Sequence, residues 1–388
     1  MSRYMKKINS TKWADGFIYV TTMWLLSRLV IVVGMQLIAP LRHAPPVNYG
    51  VHTPVGFVPN FIPTSGWELF SHWDGGWYRQ ITTLGYDYAN DGQEHSVAFF
   101  PLFPLITRGF ITLGLPFEVA GTLVNTLAFL GALLLLYRWA EERHGISAAR
   151  WATAVLAWCP FSLYGTVVYT EGLFLLLTTA ALRAFDNRQY ARAALWGAMA
   201  TATRATGVAL VPAFLLVAWR ERRPAIAYVA GIAAGGGLLL FSVYCAIRFA
   251  DPLAFVHVQR GWQQPNWLDI FTDVLNLRLG LHTVKQLTHA VNQLTRVVIL
   301  FSSSYLLWCL RSKLPRVAVA YGFCSLAVIL STGAFNSVSR YVYGIVSISL
   351  ALGLLLASRP RWGYALMSLF TILLVSFAIR FSWWYWVA

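Results

Sequence analysis

A dense group of polar and aromatic residues occupies positions 71–101, between two apolar stretches. Asp74 directly follows Trp73 and lies one helical turn before Tyr78, so we expect its carboxylate to be partly removed from water. Partial desolvation disfavours the charged form and makes a carboxylate a stronger base. Such a base suits a reaction in which a hydroxyl loses its proton. The same residue could also cap a helix that begins at Gly75, and the two interpretations are compatible.

Glu94, His95 and Glu171 form a second polar set at the ends of apolar stretches. They could bind sugar hydroxyls or tune Asp74, or they could simply cap helix ends at loop boundaries. Asp74, Glu94 and His95 together also offer oxygen and nitrogen ligands of the kind that metal sites use. No Asp-x-Asp pair accompanies them, so we expect no metal cofactor.

Arg204 lies midway in the apolar stretch 193–219 and Arg340 follows a polar turn at 336–339, and a charge next to apolar spans needs a reason. A guanidinium group stays charged and can hold two phosphate oxygens at once, so both residues are candidates for a phosphate site. The alternative is that their side chains only reach out to the membrane interface. Tyr341 follows Arg340 directly and belongs to the same candidate site.

A second polar and aromatic segment follows residue 250 and contains Gln259, Arg260 and Trp262. An indole ring could stack on a sugar or cover a lipid headgroup, with the amide and the guanidinium nearby. The alternative is an amphipathic helix that lies in the membrane interface.

The elements that position these residues are membrane spans. Of the 388 residues, 57% are hydrophobic and only 12% are charged, whereas soluble domains carry about one-quarter charged residues. Several apolar runs approach the roughly 20 residues that cross a bilayer. The sequence therefore predicts one all-α domain over residues 1–388, a polytopic transmembrane bundle.

The distribution of charge predicts the topology. The net charge of +15 comes from small basic clusters rather than from one basic face, which argues against nucleic-acid binding. Cytoplasmic loops of membrane proteins concentrate Lys and Arg. This rule places the N-terminus inside, residues 41–116 and 250–293 in two outer loops, and the C-terminus outside. Residues 17–39 are too long for a signal peptide and are interpreted as an uncleaved first span.

About eleven spans satisfy this rule. Residues 98–115, which Pro101 and Pro104 interrupt, are predicted to form a re-entrant or interfacial helix covered by protein. Residues 193–219 are predicted to form two short legs that turn near Arg204. The four cysteines stand singly in apolar stretches and show no metal-binding spacing.

Three blocks of this sequence resemble the PIG-V family of mannosyltransferases. His72-Trp73-Asp74, Gly85-Tyr86 and Glu94-His95 running into Ala98-Phe99-Phe100-Pro101 look like the first outer loop of that family. Tyr169-Thr170-Glu171-Gly172-Leu173-Phe174 is similar to its Tyr-Ser-Glu-Ser-Leu-Phe block, and Ala202-Thr203-Arg204-Ala205-Thr206-Gly207 to its Ala-Thr-Arg-Ser-Asn-Gly block. The aromatic character of the loop favours a bacterial or archaeal relative.

The resemblance implies a C-type glycosyltransferase that uses a lipid-phosphate sugar and carries its catalytic acid at Asp74. The expected reaction is inverting transfer of a sugar from a polyprenyl-phosphate donor to a glycolipid or glycan acceptor at the extracytoplasmic face. The sugar expected from the resemblance is mannose. The catalytic candidate is Asp74, and the substrate-binding candidates are Trp73, Tyr78, Glu94, His95, Tyr169, Glu171, Arg204, Gln259, Arg260, Trp262, Arg340 and Tyr341.

A transporter or lipid flippase, with Asp74 and Glu171 as coupling carboxylates, is the competing hypothesis. Transporter sites tend to lie near the bilayer midplane on broken helices. The acids of this chain cluster at span ends and in outer loops, which favours an interfacial enzyme. The expected location is a bacterial or archaeal plasma membrane, or the endoplasmic reticulum in a eukaryote.

Overall fold

The structure is a computed structural model that describes residues 2–41, 65–262, 284–332 and 337–387. Side chains are described from residue 14 in the first range and over 293–331 in the third. Within these ranges the chain forms α-helices and short 3-10 helices, and no β-strand. The predicted all-α fold is confirmed.

Seven helices form the first part of the chain: α1 (Ser2–Ile38), α2 (Asp74–Thr83), α3 (Leu102–Thr112), α4 (Phe117–Trp158), α5 (Glu171–Asp186), α6 (Tyr190–Thr201) and α7 (Leu210–Arg220). The remaining described helices are α8 (Ala225–Ala233), α9 (Gly236–Phe249), α10 (Ala254–His257), α11 (Val284–Leu310), α12 (Arg316–Thr332), α13 (Val338–Tyr343), α14 (Val346–Ser358) and α15 (Pro360–Ser382).

Helix α4 lies at the centre of the bundle and packs against α1, α3, α5 and α14. Its residues Phe129, Leu133 and Leu136 recur at helical spacing and are fully buried. Gly145 has a φ of +83° and a ψ of 174°, so α4 consists of two helical segments that meet there. Glycine adopts a positive φ without the steric penalty of a side chain. The break falls inside a basic segment that contains Arg138, Arg143 and Arg150.

Within the described ranges, four helices are long and apolar enough to cross a membrane: α1, α4, α11 and α15. Helices α8 and α9 together make a fifth, bent by 42° at a short break. Shorter apolar helices, among them α3, α7, α12 and α14, complete the bundle. The chain is a multi-pass membrane protein, while the number of about eleven spans stays a prediction.

Two predicted interruptions of the spans coincide with helix boundaries. Helix α3 has 11 residues, which give about 16 Å, roughly half of a bilayer core. Residues 193–219 divide where α6 ends, and Arg204 lies in extended backbone before α7 begins. This break places the Arg204 side chain at the end of two short helices rather than within one long span.

Charged residues gather at the two ends of α5. Glu171 begins this helix and Asp186 ends it, and 16 residues correspond to a rise of about 24 Å. At the Asp186 end, the Arg143 guanidinium lies 2.8 Å from the Asp186 carboxylate and that of Arg183 lies 2.5 Å from Glu142. The other end carries the polar residues predicted to form the site.

The described parts of the two predicted outer loops pack against each other. The Tyr88 hydroxyl donates a 2.6 Å hydrogen bond to the Asp251 carboxylate. Gly261 lies so close to the backbone of Gln93 that a Cβ atom there would meet the Gln93 carbonyl oxygen at 2.5 Å. The remainder of these loops, residues 42–64 and 263–283, lies outside the described residues.

Candidate active site

Asp74 begins helix α2 immediately after a residue in a strained conformation. Trp73 has a φ of +54°, in the left-handed region that bulky residues rarely adopt. The Asp74 carboxylate accepts a 2.7 Å hydrogen bond from Arg340 Nη1, across 266 positions of the sequence. The Asp74 backbone N–H donates to the Tyr169 hydroxyl at 3.4 Å. Asp74 is thus the first residue of α2, and Trp73 rather than Asp74 occupies the N-cap position. The capping interpretation is therefore wrong, and the Asp74 carboxylate holds a charged partner instead.

Four charged side chains form a continuous group, which we call the ion quartet: Asp74, Arg340, Glu171 and Arg204. Arg204 Nη1 donates to Glu171 Oε1 at 2.5 Å. Arg340 Nε lies 3.1 Å from the same oxygen, although its N–H is not aligned for a hydrogen bond. Two carboxylates and two guanidinium groups give a formal charge of zero, as a buried set requires.

The inner part of the ion quartet is removed from water. Glu171 is 1% exposed and Arg340 is 6% exposed. Glu171 Oε2 is buried and has no hydrogen-bond partner among the described residues. Two arginines therefore share one oxygen of Glu171, and the second oxygen remains available to bind a donor group. Glu171 thus contacts both arginines of the quartet.

A single side chain fixes the turn that presents Glu171. The Asn125 amide donates to the carbonyl oxygens of Tyr164 and Val167 at 2.6 and 2.7 Å, and its oxygen accepts the Gly172 N–H at 2.7 Å. Gly172 lies so close to α4 that a Cβ atom would meet the Asn125 carbonyl oxygen at 2.2 Å. Glycine is therefore required beside Glu171 by close packing.

Aromatic rings surround both arginines. The Arg340 guanidinium lies 5.2 Å from the Tyr169 ring centroid and 5.4 Å from that of Tyr164. The Tyr341 ring lies between the two cations, 5.5 Å from Arg340 and 5.0 Å from Arg204. Ring faces attract cations, and this attraction strengthens where water is excluded. The arginines are thus held in place by rings as well as by carboxylates.

Glu94 lies near Asp74 in the loop before α3. Burial of this half-buried carboxyl, and then the negative charge of Asp74, raise its pKa from an ordinary 4.5 to about 7. His95 turns elsewhere, because its Nδ1 lies 2.8 Å from Asp87 and its Nε2 lies 3.0 Å from Asp91. Burial lowers the pKa of His95, but these two carboxylates outweigh it and raise the pKa overall.

Residues 17–221 match the family model described as mannosyltransferase (PIG-V). The chain belongs to the PIG-V mannosyltransferase family. Its GPI alpha-1,6-mannosyltransferase 2 relative from Homo sapiens is 28% identical over 185 residues, 45% of this chain and 36% of that protein. The chain thus matches about a third of the length of this relative. The matched region includes three members of the ion quartet, and Arg340 lies beyond it.

Two solved structures share the fold of this PIG-V family member. ArnT from Cupriavidus metallidurans bound to undecaprenyl phosphate has a TM-score of 0.51 at 14% identity, over 90% of this chain and 62% of ArnT. The apo oligosaccharyltransferase of Archaeoglobus fulgidus has a TM-score of 0.51 at 13% identity, over 93% and 56%. The predicted C-type glycosyltransferase fold is confirmed.

In this PIG-V family member, Trp262 of the predicted second outer loop packs near α2, whereas Gln259 and Arg260 lie at the surface. The Trp262 ring centroid lies 5.9 Å from that of Trp77 and 6.0 Å from that of Phe99. Gln259 and Arg260 are exposed, and the Gln259 amide donates to the Phe255 carbonyl at 3.2 Å. The structure therefore joins Trp262 to the aromatic residues around α2 and leaves the other two apart from the ion quartet.

Tyr78 and the residues of the metal hypothesis complete the predicted set. The Tyr78 hydroxyl donates to Thr170 Oγ1 at 3.4 Å, which places it beside Glu171.

Of the three candidate metal ligands Asp74, Glu94 and His95, Asp74 is hydrogen-bonded to Arg340. The two ring nitrogens of His95 contact Asp87 and Asp91. No three His, Cys, Asp or Glu side chains of the described ranges are grouped so that they could hold a metal ion.

Sequence reasoning did not find the residues that cover Trp73. The Trp384 ring lies 4.4 Å from that of His72, and the Trp386 ring meets that of Trp73 edge-on at 5.2 Å. His72 Nδ1 lies 3.2 Å from the Phe381 carbonyl oxygen. The only signal was the run of aromatic residues at 381–386, which is equally typical of an interfacial belt.

Proposed function

We propose that this chain is an inverting glycosyltransferase that moves a sugar from a polyprenyl-phosphate donor to a lipid-linked or glycan acceptor. The proposed sugar is mannose. Family membership supports the mannosyl transfer. The observation that carries the mechanism is the 2.7 Å hydrogen bond between Arg340 and Asp74, because it joins a candidate base to a candidate phosphate ligand. ArnT, which shares the fold, was crystallised with undecaprenyl phosphate, and we extend a lipid-phosphate donor to this chain.

The two arginines are assigned to the donor phosphate. Guanidinium groups bind phosphate oxygens through paired hydrogen bonds and remain charged at all relevant pH values. Arg340 and Arg204 are held on Glu171, 3.1 and 2.5 Å from the same oxygen. Glu171 is therefore proposed to set the spacing between the two cations. This assignment replaces the direct contact of Glu171 with sugar hydroxyls that the sequence suggested.

Donor binding then frees the base. A phosphodiester brings one negative charge and competes with Asp74 for Arg340. Released from this hydrogen bond, the Asp74 carboxylate accepts the proton of the acceptor hydroxyl as that oxygen attacks the anomeric carbon. The bond between this carbon and the phosphate oxygen breaks, and the lipid phosphate leaves with the electron pair. Attack opposite to the leaving group converts a β-linked donor into an α-linked product.

The charges favour an extracytoplasmic site. The ion quartet lies at the Glu171 end of α5, whereas Arg143 and Arg183 lie at its opposite end. Because cytoplasmic segments concentrate basic residues, we propose that the quartet faces outward, with the N-terminus inside and the C-terminus outside. An outward site can take a lipid-linked sugar from the outer leaflet.

The test is a turnover assay with the purified chain in detergent. Polyprenyl-phosphate mannose is incubated with candidate lipid and glycan acceptors, and both polyprenyl monophosphate and glycosylated product are measured. We expect both to accumulate together, and to do so equally after chelation of divalent cations, because arginines are assigned to the phosphate. A loss that added Mg²⁺ or Mn²⁺ restores would contradict the proposed metal independence.

Failure of this assay with every acceptor has a defined alternative. If reconstituted vesicles move the intact donor lipid across the membrane without releasing polyprenyl monophosphate, the chain is a flippase and the proposed reaction is wrong. In that case Asp74 and Glu171 would be coupling carboxylates rather than a base and its support.

A further inference from the structure

A cavity of about 590 Å³ lies between α7, α11 and α12, apart from the ion quartet. Its walls are largely apolar, and the side chains that form them include Leu216, Val319 and Phe323. Pockets of about 300–1,000 Å³ are of the size that binds small molecules or lipid portions. The cavity is therefore large enough to hold part of an amphiphilic ligand.

Three arginines line the same cavity: Arg220, Arg311 and Arg316. None of its lining residues, all within the described ranges, is acidic. The nearest acid that contacts them is Glu221, which holds Arg223 at 2.7 Å and reaches Arg316 only at 3.4 Å. The cationic charge of the cavity is thus largely uncompensated.

An exposed aromatic residue orients one of these cations. Trp308 is 57% exposed, and the Arg311 guanidinium stacks on its ring at 4.1 Å from the centroid. Arg311 Nη1 also donates to the Trp308 carbonyl oxygen at 2.7 Å. Exposed tryptophan beside arginine is typical of the level of lipid headgroups. The cavity therefore opens where a lipid headgroup and the start of its acyl chains would lie.

This cavity belongs to the end of the molecule opposite the ion quartet. Arg204 precedes helix α7 and Arg220 ends it, and the 11 residues of α7 alone span about 16 Å. A donor phosphate bound to Arg204 therefore does not reach Arg220. The ligand of this cavity is distinct from the sugar donor at its reacting end.

We propose that this cavity binds an anionic phospholipid, with its phosphate on the arginines and an acyl chain along the apolar wall. Basic pockets between transmembrane helices bind acidic lipid headgroups, and guanidinium groups prefer phosphate. The apolar wall requires an acyl chain, so a lipid is favoured over a free anion. The proposal does not depend on the glycosyltransferase reaction, because the cavity and the ion quartet share no residue.

The experiment is native mass spectrometry of the purified full-length chain with equal amounts of dioleoyl phosphatidylglycerol and dioleoyl phosphatidylcholine. We expect wild-type protein to retain phosphatidylglycerol preferentially. The double variant Arg311→Gln, Arg316→Gln removes two charges from exposed positions and should lower this retention about tenfold, as the loss of charge-assisted hydrogen bonds to phosphate implies.

The matched control is Arg222→Gln, which removes an exposed arginine beside the cavity that does not line it. Its retention of phosphatidylglycerol should equal that of the wild type. Equal loss in the control, or equal retention of both lipids by the wild type, would overturn the proposal. Two further arms identify the source of the phosphate. Dihexanoyl phosphatidylglycerol should bind more weakly than the dioleoyl lipid, and inorganic phosphate should not compete; full competition by inorganic phosphate would indicate a simple anion site instead.

Discussion

At the scale of single residues, Asp74 is engaged before any substrate arrives. Its hydrogen bond to Arg340 at 2.7 Å stabilises the carboxylate and keeps it from acting as a base. In the proposed reaction, a donor phosphate changes this balance, because it offers Arg340 a second anion. Asp74 would then be available as a base only when a leaving group is bound, which would prevent unproductive proton transfer.

Replacement of Asp74 by Asn separates a catalytic role from a structural one. Asn retains the shape and can still accept a hydrogen bond through its amide oxygen, but it cannot take a proton. Loss of a general base lowers the rate by about 10²–10⁴, whereas loss of the negative charge at a purely structural residue should leave the rate nearly unchanged. We expect turnover to fall by that factor in the Asp74→Asn variant, while donor affinity is kept because Arg340 is released for phosphate.

The matched control for this change is Asp91→Asn, in the exposed part of the same loop. Turnover and donor affinity of both variants are measured after size-exclusion profiles confirm equal folding. Turnover of Asp74→Asn within about threefold of the wild type, far from the effect of losing a base, would leave Asp74 with a structural role only, as the partner of Arg340. The search for a base would then pass to Glu94.

Glu94 gives the site a pH dependence. Burial and the charge of Asp74 raise its pKa to about 7, so Glu94 is neutral below that pH and negative above it. A second negative charge near Asp74 disfavours an incoming phosphate. The KM for the donor should therefore rise as the pH increases through about 7, and this rise should be absent in Glu94→Gln.

The raised pKa of Glu94 also makes the stability of the fold depend on pH. Because the folded pKa lies above the ordinary 4.5, the contribution of Glu94 to stability is complete below about pH 4.5 and is lost as the pH rises through 7.

His95 is the necessary control for the KM measurement, since its pKa is also raised from 6.5. If His95→Asn abolishes the KM transition and Glu94→Gln keeps it, Glu94 is not the titrating group.

At the scale of elements, the sequence predicts a polar end of an apolar stretch at Glu171 and a break near Arg204. It does not predict that the adjacent side chains of Glu94 and His95 point in different directions. The sequence presents Glu94 and His95 as one polar pair. His95 has extended backbone, with φ −135° and ψ 155°, and successive side chains of extended backbone point to opposite sides. Glu94 therefore approaches Asp74 while His95 binds Asp87. Two residues that are adjacent in the sequence can therefore be assigned to the same site only where the backbone conformation is known.

Helix α5 carries an ion pair at each end, and the two should differ in strength. Removal of one partner from a buried pair costs about 3–5 kcal/mol, whereas an exposed pair contributes about 0–1 kcal/mol. Glu171, which is 1% exposed, holds two arginines, whereas the pair of Glu142 and Arg183 is partly exposed to solvent. We expect Glu171→Gln to lower the thermal unfolding temperature clearly and Glu142→Gln to leave it nearly unchanged.

Both variants change one carboxylate to an amide on, or packed against, the same helix, so each is the control of the other. Thermal unfolding is followed in the same detergent, and donor affinity is measured beside it. Glu171→Gln should also weaken donor binding, because Arg204 and Arg340 lose their common support. Equal unfolding temperatures of the two variants would show that Glu171 does not hold the arginines in the way proposed.

At the scale of the whole molecule, the site combines residues that the sequence places far apart. Arg340 lies 266 positions from Asp74, and the count of spans and charges is all that the sequence offers for placing the two residues at one end of the bundle. That count predicts an end of the bundle, not a contact. The aromatic C-terminal segment shows that such a count does not predict contacts, because Trp384 and Trp386 cover the rings of His72 and Trp73. These rings meet because α15 packs against α1 and α4 and its end contacts His72 at the Phe381 carbonyl oxygen.

The arrangement of charge predicts which end of the molecule faces the cytoplasm. We expect Asp91→Cys, in the loop beside the ion quartet, to react with an impermeant thiol reagent added to intact cells. Arg188→Cys, an exposed position at the basic end of the bundle, should react only after the membrane is permeabilised. Cys159, Cys245, Cys309 and Cys324 are first replaced by Ser or Ala so that each label reports one site.

The two labels test the orientation independently of activity. A membrane-permeant thiol reagent serves as the control that both introduced cysteines are reactive, and the parent without cysteine serves as the blank. Labelling of Arg188→Cys alone in intact cells would invert the topology and place the ion quartet in the cytoplasm. A sugar donor from the outer leaflet could not then reach Asp74 without crossing the bilayer. Labelling of Asp91→Cys alone agrees with the excess of Lys and Arg that cytoplasmic loops carry, and it places the proposed anionic-lipid cavity at the inner leaflet, where such lipids are concentrated.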